Sequence, residues 1–274
     1  FTGPTGVGKT EAAKQLSANM GTPLVRFDMS EYQEKHSVSK FIGSPPGYVG
    51  FDDNAGQLIT KLQETPNCIL LFDEVEKAHP DVLTVLLQLM DNGAVTGSNG
   101  KVADGRNAIV ILTSNIGAAD AEKNLVGFGT LERSTDTSDA IKRFFTPEFR
   151  NRLDGIIQFS KLDHTTMIKV VKKFIDDLNV LVKDRNVHVK LTADAVEFLI
   201  NKGFDAKMGA RPLKRTIDEY IKKPLSKELL FGKLVNGGVV EASVKNNELV
   251  LNFIEVMPVQ ELETNDANGN TDNQ

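Results

Sequence analysis

The chain opens on a glycine-rich loop that leads directly into a helical pattern, and this feature restricts its possible folds more than any other. The loop reads GPTGVGKT, which is the pattern of a phosphate-binding loop, and it consists of Gly3, Pro4, Thr5, Gly6, Val7, Gly8, Lys9 and Thr10. The glycines let backbone N–H groups turn inward onto phosphate oxygens. Lys9 supplies a positive charge for the β- and γ-phosphates, and the Thr10 hydroxyl suits Mg²⁺. Residues 11–20 are expected to form a helix whose N-terminus faces the phosphates.

Short apolar runs alternate with helical patterns over the first 160 residues. Four of the runs are mainly apolar, as is typical of strands buried on both faces, and they cover residues 23–28, 68–72, 108–114 and 156–159. Apolar residues at helical spacing lie between the second and third runs, and Asn92-Gly93 ends that helix. The alternation predicts an α/β fold, a parallel sheet with helices on both faces.

The pattern changes after residue 160. A long helical stripe is formed by Met167, Val171, Phe174, Leu178 and Leu181. Further helices are predicted over residues 192–202 and 211–221, and then a hairpin with strands at 239–244 and 249–254. We therefore expect a large α/β nucleotide-binding domain over residues 1–160, a smaller and mostly helical lid domain with a short β hairpin over residues 161–256, and a disordered acidic tail over residues 257–274.

Two carboxylates follow the second predicted strand. Asp73 and Glu74 come directly after the apolar run, which predicts Asp73 beside Mg²⁺ and Glu74 beside the γ-phosphate. Glu74 would act as general base on the attacking water. Two acids after an apolar run are also common on protein surfaces. Their combination with the phosphate-binding loop is what predicts ATP hydrolysis rather than nucleotide binding alone.

Asn115 ends the third predicted strand, in the sequence Thr113-Ser114-Asn115. A polar side chain at this edge of the sheet is expected to orient water or to contact the γ-phosphate. The alternative is a plain turn between strand and loop, which asparagine favours.

The charge and composition restrict the partners. The net charge is -5. Residues 255–274 hold five acids and no basic residue, so the rest of the chain is neutral overall. This argues against nucleic acid as the main partner, although residues 161–254 carry a net charge of +5.

Cys68 is the single cysteine and cannot form an internal disulfide, so we expect a reducing, cytoplasmic compartment. The four histidines lack paired ligand spacing, so Mg²⁺ is the only metal expected.

Longer segments of the chain resemble the second ATPase module of the Clp unfoldases, a family of the AAA+ class, and above all the ClpA type. The segments are GPTGVGKTE, RFDMSEY, GSPPGYVGFD, LLFDEVEKAHPDV, LLQLMDNG, LTSN, FTPEFRNRLD and GARPLKR, within residues 1 to 256. The resemblance implies the AAA+ fold, with ATP and Mg²⁺ as cofactors. It also implies a homohexameric ring that unfolds tagged proteins and threads them through a central pore.

The resemblance assigns further residues. Tyr48 and Val49 match the pore loop that grips substrate, where an aromatic side chain can contact any extended polypeptide; the alternative is a turn with its tyrosine packed on the surface. Arg152 matches the arginine finger that reaches a neighbouring subunit's ATP, with Arg150 as second choice. Ion pairing of these arginines with nearby acids is the alternative. Arg211 matches the arginine that senses the γ-phosphate of its own subunit, or else is an exposed residue at a helix start.

A tripeptide in a polar stretch matches the family's docking site for the ClpP peptidase, and it consists of Val126, Gly127 and Phe128. An apolar anchor of this kind would enter a pocket on the partner. Alternatively, these side chains fold back onto their own domain. The sequence shows no Ser/His/Asp set, so proteolysis itself would belong to the partner.

Three rival functions stay open. A disaggregase of the ClpB type would remodel proteins without a peptidase and would lack the docking tripeptide. A DNA-handling motor is disfavoured because residues 1–254 are neutral overall. A non-catalytic scaffold is disfavoured because the set of Lys9, Asp73, Glu74 and Arg152 is complete.

The chain also departs from the family at its start, because only Phe1-Thr2 of the first strand precedes the loop. The segment that contacts adenine and the domain that binds adaptor proteins are therefore expected to be missing, and the isolated chain is expected to be poorly stable.

Overall fold

The computed structural model of the chain describes residues 1–44, 56–117, 133–205 and 208–254. The chain divides into two compact units. The first consists of Phe1–Asp163 together with Phe204–Pro212, and the second of His164–Gly203 together with the chain from Leu213 onward. One domain boundary at residue 160 therefore does not reproduce the two units, because the segment Phe204–Pro212 packs with the first unit rather than with the helices that flank it in the sequence.

The first unit contains helices and strands in alternation. Its elements are α1 (Lys9–Met20), β1 (Leu24–Asp28), α2 (Lys35–Ile42), α3 (Gln57–Glu64), β2 (Ile69–Asp73), α4 (Pro80–Asn92), β3 (Ala94–Thr96), β4 (Val102–Asp104), β5 (Ile109–Leu112), α5 (Arg133–Phe144) and α6 (Pro147–Asn151). Short 3₁₀ turns follow β1 at Met29–Tyr32 and β2 at Val75–Lys77. The other predicted strands and helices of this region are confirmed in type, with bounds shifted by a few residues, but the strand predicted over residues 156–159 is not formed.

A parallel sheet forms the centre of the first unit, with the strand order β1-β2-β5. Thr2 extends it through parallel bridges to both Ser114 and Gln158. The strand predicted over residues 156–159 is thus reduced to one bridge, because only Thr2 pairs with it there. In the register, Asp28 lies opposite Asp73, so the carboxyl ends of β1 and β2 bring their polar residues to one edge.

Strand β2 is buried along its whole length, as expected for a strand covered on both faces. Its side chains alternate between two clusters. Leu70 and Phe72 belong to the larger core, in which the rings of Phe27 and Phe72 stack with centroids 5.5 Å apart. Ile69 and Leu71 face a smaller cluster that includes Ala13 of α1. The sheet therefore has helices on both faces, as predicted, and its rigid centre ends at Asp73.

The second unit combines helices with a small sheet. Its elements are α7 (His164–Val182), β6 (Val187–Leu191), α8 (Ala193–Gly203), the end of α9 (Arg211–Ile217), a π turn (Asp218–Lys222), α10 (Lys223–Phe231), β7 (Gly238–Lys245) and β8 (Glu248–Ile254). The hairpin of β7 and β8 is confirmed, and its turn residues Asn246 and Asn247 both have positive φ, as a two-residue turn of type I′ requires. The sequence did not reveal β6, which pairs with β7 in parallel.

Across the parts of the chain that the structure describes, every helix is too short or too polar to cross a membrane.

Candidate nucleotide-binding and hydrolysis site

The phosphate-binding loop runs from the short pairing at Thr2 into α1. The helix begins at Lys9, and Gly8 at its N-cap provides no side-chain acceptor for the first N–H groups. These donors therefore remain available for an anion at the positive end of the helix. Gly6 has a φ of 74°, and a Cβ at this position would lie 2.0 Å from the carbonyl oxygen of Met208. A side chain is excluded there because another backbone segment lies against the loop.

That neighbouring segment is part of Phe204–Pro212, which belongs to the same unit. The backbone N–H of Ala210 donates to the carbonyl oxygen of Gly6 at 3.2 Å. Gly209 has a φ of 61°, and a Cβ on it would lie 2.7 Å from the carbonyl oxygen of Thr5. The segment thus braces the outer side of the phosphate-binding loop and carries Arg211 close to it.

Lys9 lies buried beneath the loop, and all three of its ammonium hydrogens have acceptors. The Nζ atom donates to the carbonyl oxygens of Gly3 at 2.7 Å and Pro4 at 2.8 Å, and to Oδ1 of Asn115 at 2.9 Å. Burial lowers the pKa of Lys9, and the carboxylates of Glu76, Asp73 and Glu74 oppose that shift, in this order. The ammonium is thereby held at the point where the sequence predicts the β- and γ-phosphates.

Asp73 and Thr10 face each other across the site predicted for Mg²⁺. The Thr10 hydroxyl lies 3.1 and 3.0 Å from the two carboxylate oxygens of Asp73. The Thr113 hydroxyl also donates to Asp73, and the Arg26 guanidinium pairs with it at 2.8 Å. One hydroxyl and one carboxylate fit Mg²⁺, which binds few protein oxygens and completes its shell with water and phosphate. Sequence reasoning did not identify Arg26 or Thr113.

Glu74 has an unusual backbone conformation directly after β2. Its φ of 58° and ψ of 50° are left-handed, which costs a non-glycine residue free energy on the order of 1–3 kcal/mol. Its backbone N–H donates to the Thr113 hydroxyl at 3.1 Å. Its side chain accepts a hydrogen bond from Lys77 at 2.5 Å, and this contact raises the pKa of Lys77. Such strain is typical of a residue held for function.

Asn115 joins the phosphate-binding loop to the turn after β2. Its Oδ1 accepts from Lys9, and the Thr5 hydroxyl lies 3.4 Å from the same atom. On the other side, its backbone N–H and its Nδ2 both donate to Oε1 of Glu76, each at 3.1 Å. Glu76 is a second residue that sequence reasoning missed. The sequence gives one indication of Glu76, which is that it is the third acid in Asp73-Glu74-Val75-Glu76.

The three arginines predicted for the site lie in different surroundings. Arg152 is half-exposed and forms an ion pair with Asp91 of α4, a partner that was not foreseen. The Nε atom of Arg150 is buried and has no hydrogen-bond partner within the described parts of the chain. Arg211 is exposed at the first residue of α9, yet its charge lies near enough to Lys9 to lower the pKa of that residue.

The predicted site residues that the structure brings together are Lys9, Thr10, Asp73, Glu74 and Asn115, with Arg211 beside them.

Several predicted residues lie outside the described residues. They are the pore-loop residues Tyr48 and Val49, the docking residues Val126, Gly127 and Phe128, and the tail over residues 257–274.

Comparison with known families gives matches over most of the chain. The model of an AAA domain (Cdc48 subfamily) matches residues 1–156, and the model of the C-terminal, D2-small domain of ClpB protein matches residues 162–242. A solved structure is also similar, a closed-state cryo-EM reconstruction of Hsp104 with ATPγS and FITC casein. It has a TM-score of 0.79 and 39% identity, and the match covers 92% of this chain and 44% of that one.

Curated relatives come from several bacteria. The chain is 57% identical over 251 residues to a ClpA homolog protein of Fuscovulum blasticum, a match that covers 92% of the chain and 32% of the relative. It is 45% identical over 231 residues to the ATP-dependent Clp protease ATP-binding subunit ClpE of Streptococcus pneumoniae serotype 4, covering 82% and 30%. It is 42% identical over 256 residues to the chaperone protein ClpB of Bacillus anthracis, covering 92% and 29%. The chain thus spans at most 32% of the length of these relatives.

Proposed function

Because the chain belongs to the Clp branch of the AAA+ ATPases, which hydrolyse ATP, we propose that it is the motor module of a homohexameric protein unfoldase. In this proposal the ring uses ATP to unfold protein substrates and threads them into a ClpP-type peptidase. The observation that carries the proposal is the convergence of Lys9, Asp73, Glu74 and Asn115 at one edge of the parallel sheet. A cytoplasmic location belongs to the same proposal and agrees with the buried free thiol of Cys68.

The proposed hydrolysis uses the chain's own groups as follows. The phosphates lie on the loop and on the N–H groups of α1, and Lys9 gives up its carbonyl acceptors to reach the β- and γ-phosphates. Thr10 and Asp73 would hold Mg²⁺, which supplies positive charge to the phosphate oxygens when bound. Glu74 takes a proton from water as the water oxygen attacks the γ-phosphorus, and the bond to the β-phosphate oxygen breaks to release ADP. Glu74 must first leave Lys77, with which it is paired in the structure.

Glu74 as the general base is tested by Glu74→Gln in the full-length protein. The variant is expected to bind ATP and to lose hydrolysis, because an amide does not accept the proton of the attacking water. Binding is measured with a fluorescent nucleotide and turnover by phosphate release. Glu64→Gln is the matched control, since Glu64 lies in an exposed pair with Lys61 and should keep full activity. Normal phosphate release by Glu74→Gln would remove Glu74 from this role.

Protein threading is the second part of the proposal, and it rests on Tyr48 and Val49 of the sequence GYVG. In the assembled ring, Tyr48→Ala is expected to hydrolyse ATP but to fail to unfold a tagged protein, because the aromatic contact with the extended chain is gone. Loss of a substrate's fluorescence measures unfolding. Unchanged unfolding would remove the gripping role while leaving the ATPase assignment intact.

Coupling to a peptidase is the third part, and it rests on Val126, Gly127 and Phe128. The identity with a ClpA homolog and with a ClpE named as a subunit of a Clp protease supports it. The disaggregase alternative is supported by the ClpB relatives and by the match of residues 162–242 to the small domain of ClpB. Deletion of the tripeptide discriminates between the two: degradation with ClpP should disappear while ATP hydrolysis continues. Equal degradation by the deletion variant would contradict the docking role and leave the disaggregase as the better proposal.

A further inference from the structure

Within the described parts of the chain, Glu76 is hydrogen-bonded to one residue of the candidate site, Asn115, and its charge also favours the protonated form of Lys9. Glu76 lies in the 3₁₀ turn after β2, and its Oε1 accepts from both the backbone N–H and the Nδ2 of Asn115, each at 3.1 Å. The opposite end of the same amide accepts from Nζ of Lys9 at 2.9 Å. The Asn115 amide is therefore held between a carboxylate and an ammonium group.

These two neighbours determine which way the amide faces. A carboxylate without a proton only accepts hydrogen bonds, and an ammonium group only donates them. The Nδ2 group must therefore face Glu76 and the oxygen must face Lys9. Rotation of the amide by 180° would set its NH₂ against the ammonium and its oxygen against the carboxylate, which makes both contacts repulsive. Once Lys9 has turned to the phosphates, Glu76 is the group that still distinguishes the two ends of the amide, because this torsion is otherwise broad and close to two-fold.

We propose that Glu76 is a positioning residue for ATP hydrolysis, which fixes the Asn115 amide with its oxygen toward the water that attacks the γ-phosphate. In this arrangement Oδ1 of Asn115 accepts one hydrogen of the water while Glu74 removes the other, so that the water oxygen faces phosphorus. The inference rests on the proposed role of Asn115 at the γ-phosphate.

A second observation separates this role from simple stabilisation. The Oε2 atom of Glu76 is buried and has no hydrogen-bond partner in the part of the chain that the structure describes. A buried carboxylate oxygen without a partner lowers stability. A glutamine would serve packing equally well at a smaller desolvation cost, but its own NH₂ could turn toward Asn115 and permit the flipped amide. The carboxylate is thus the group that specifies one orientation.

The first experiment compares Glu76→Gln, Asn115→Ala and the double variant in the full-length protein, with Glu64→Gln as the exposed control. Glu76→Gln should lower kcat by about tenfold with KM for ATP within about twofold, because orientation of the water is lost while phosphate binding is kept. The double variant should be no slower than Asn115→Ala, since a residue that acts only through Asn115 has nothing left to position. Losses that multiply in the double variant would overturn the proposal, and so would a rise in KM at unchanged kcat.

The second experiment is a rescue that remains informative if a single variant folds poorly. Asn115→Asp sets two carboxylates against each other and should lose most activity. In the double variant Asn115→Asp/Glu76→Gln, the glutamine NH₂ donates to the new carboxylate and the net charge of the original pair is restored. Turnover should rise at least about fivefold above that of Asn115→Asp, with KM and the melting temperature recorded for both. Turnover no higher than that of Asn115→Asp would overturn the proposal. Failure of the ATPase assignment itself would be recognised separately, by the absence of phosphate release from the unmodified protein, and failure of Glu74 as the base by normal hydrolysis in Glu74→Gln.

Discussion

The Arg26 guanidinium donates from Nε to Oδ2 of Asp73 at 3.1 Å, and its Nη2 forms an ion pair with the same oxygen at 2.8 Å. Arg26 lies on β1 and Asp73 ends β2, so the pair crosses two neighbouring strands of the parallel sheet. The Asp73 side chain is 8% exposed and that of Arg26 is 44% exposed. The carboxylate predicted to hold Mg²⁺ therefore has a counter-ion within the chain.

Removal of the Arg26 counter-ion should lower the stability of the protein most in the absence of nucleotide. We expect Arg26→Gln to lower the free energy of unfolding of the free protein by about 1–2 kcal/mol, because Asp73 stays buried with only hydroxyl partners. With Mg²⁺ and ADP bound, the loss should shrink, since the cation replaces the guanidinium beside the carboxylate. Thermal denaturation with and without Mg²⁺ and ADP measures both values.

Arg106→Gln is the control for this experiment, because Arg106 pairs with Asp104 on an exposed surface. It should leave the melting temperature unchanged. An equal loss for Arg26→Gln in the free and nucleotide-bound protein would contradict the view that the arginine and the metal serve the same carboxylate.

The contact of Gly209 with the phosphate-binding loop leads to a second prediction. A Cβ on Gly209 would lie 2.7 Å from the carbonyl oxygen of Thr5, and its φ of 61° is unfavourable for alanine. Gly209→Ala should therefore displace the loop and weaken the binding of a fluorescent ADP analogue by about tenfold, which corresponds to roughly 1.4 kcal/mol. Gly155→Ala is the matched control, since a Cβ there meets nothing within 4 Å. Equal affinities for the two variants would show that this segment does not shape the loop.

The left-handed backbone of Glu74 gives a third prediction. Asparagine tolerates this conformation better than glutamate or glutamine does, because its short polar side chain forms local hydrogen bonds. Glu74→Asn should thus be more stable than Glu74→Gln by about 0.5–1 kcal/mol, although both variants lose the charge that pairs with Lys77 and both lose hydrolysis. Chemical denaturation of the two variants gives the difference directly. A less stable Glu74→Asn would mean that the backbone of residue 74 is not strained.

The sequence predicted those parts of the site that depend on neighbouring positions in the chain. The phosphate-binding loop and the acids after β2 each follow from a local pattern of glycine, charge or apolar residues. Arg26 and Glu76 could not be found in this way. A single charge within a strand or in a turn is usually exposed to solvent, and only contacts between distant parts of the chain bring Arg26 to Asp73 and Glu76 to Asn115.

The same limit applies to larger elements. The strand β6 has the alternating sequence VHVKL, but it follows the long helix α7 by only a few residues and pairs with β7, which is about 50 residues away. The segment Phe204–Pro212 reads as a link between two helices, yet its backbone lies against the phosphate-binding loop. Both depend on contacts between distant parts of the chain, which periodicity does not encode.

The ion pair between Arg152 and Asp91 leads to the last prediction. If Arg152 completes the site of a neighbouring subunit, Arg152→Ala and Glu74→Gln should each abolish hydrolysis in a uniform ring. A ring mixed from both variants should regain activity, because a subunit with Arg152→Ala keeps its own Glu74 and receives an intact arginine from a neighbour with Glu74→Gln. Random mixing in equal amounts completes roughly a quarter of the sites, which sets the expected rate relative to wild type.

Asp91→Asn serves as the control in the same assay. It removes the partner of Arg152 within the chain but keeps the arginine, so turnover should be close to that of wild type. If Arg152 stabilises only its own subunit through Asp91, the mixed ring stays inactive and Asp91→Asn loses as much activity as Arg152→Ala. Recovery in the mixed ring together with an active Asp91→Asn is therefore the combination that only an arginine acting between subunits produces.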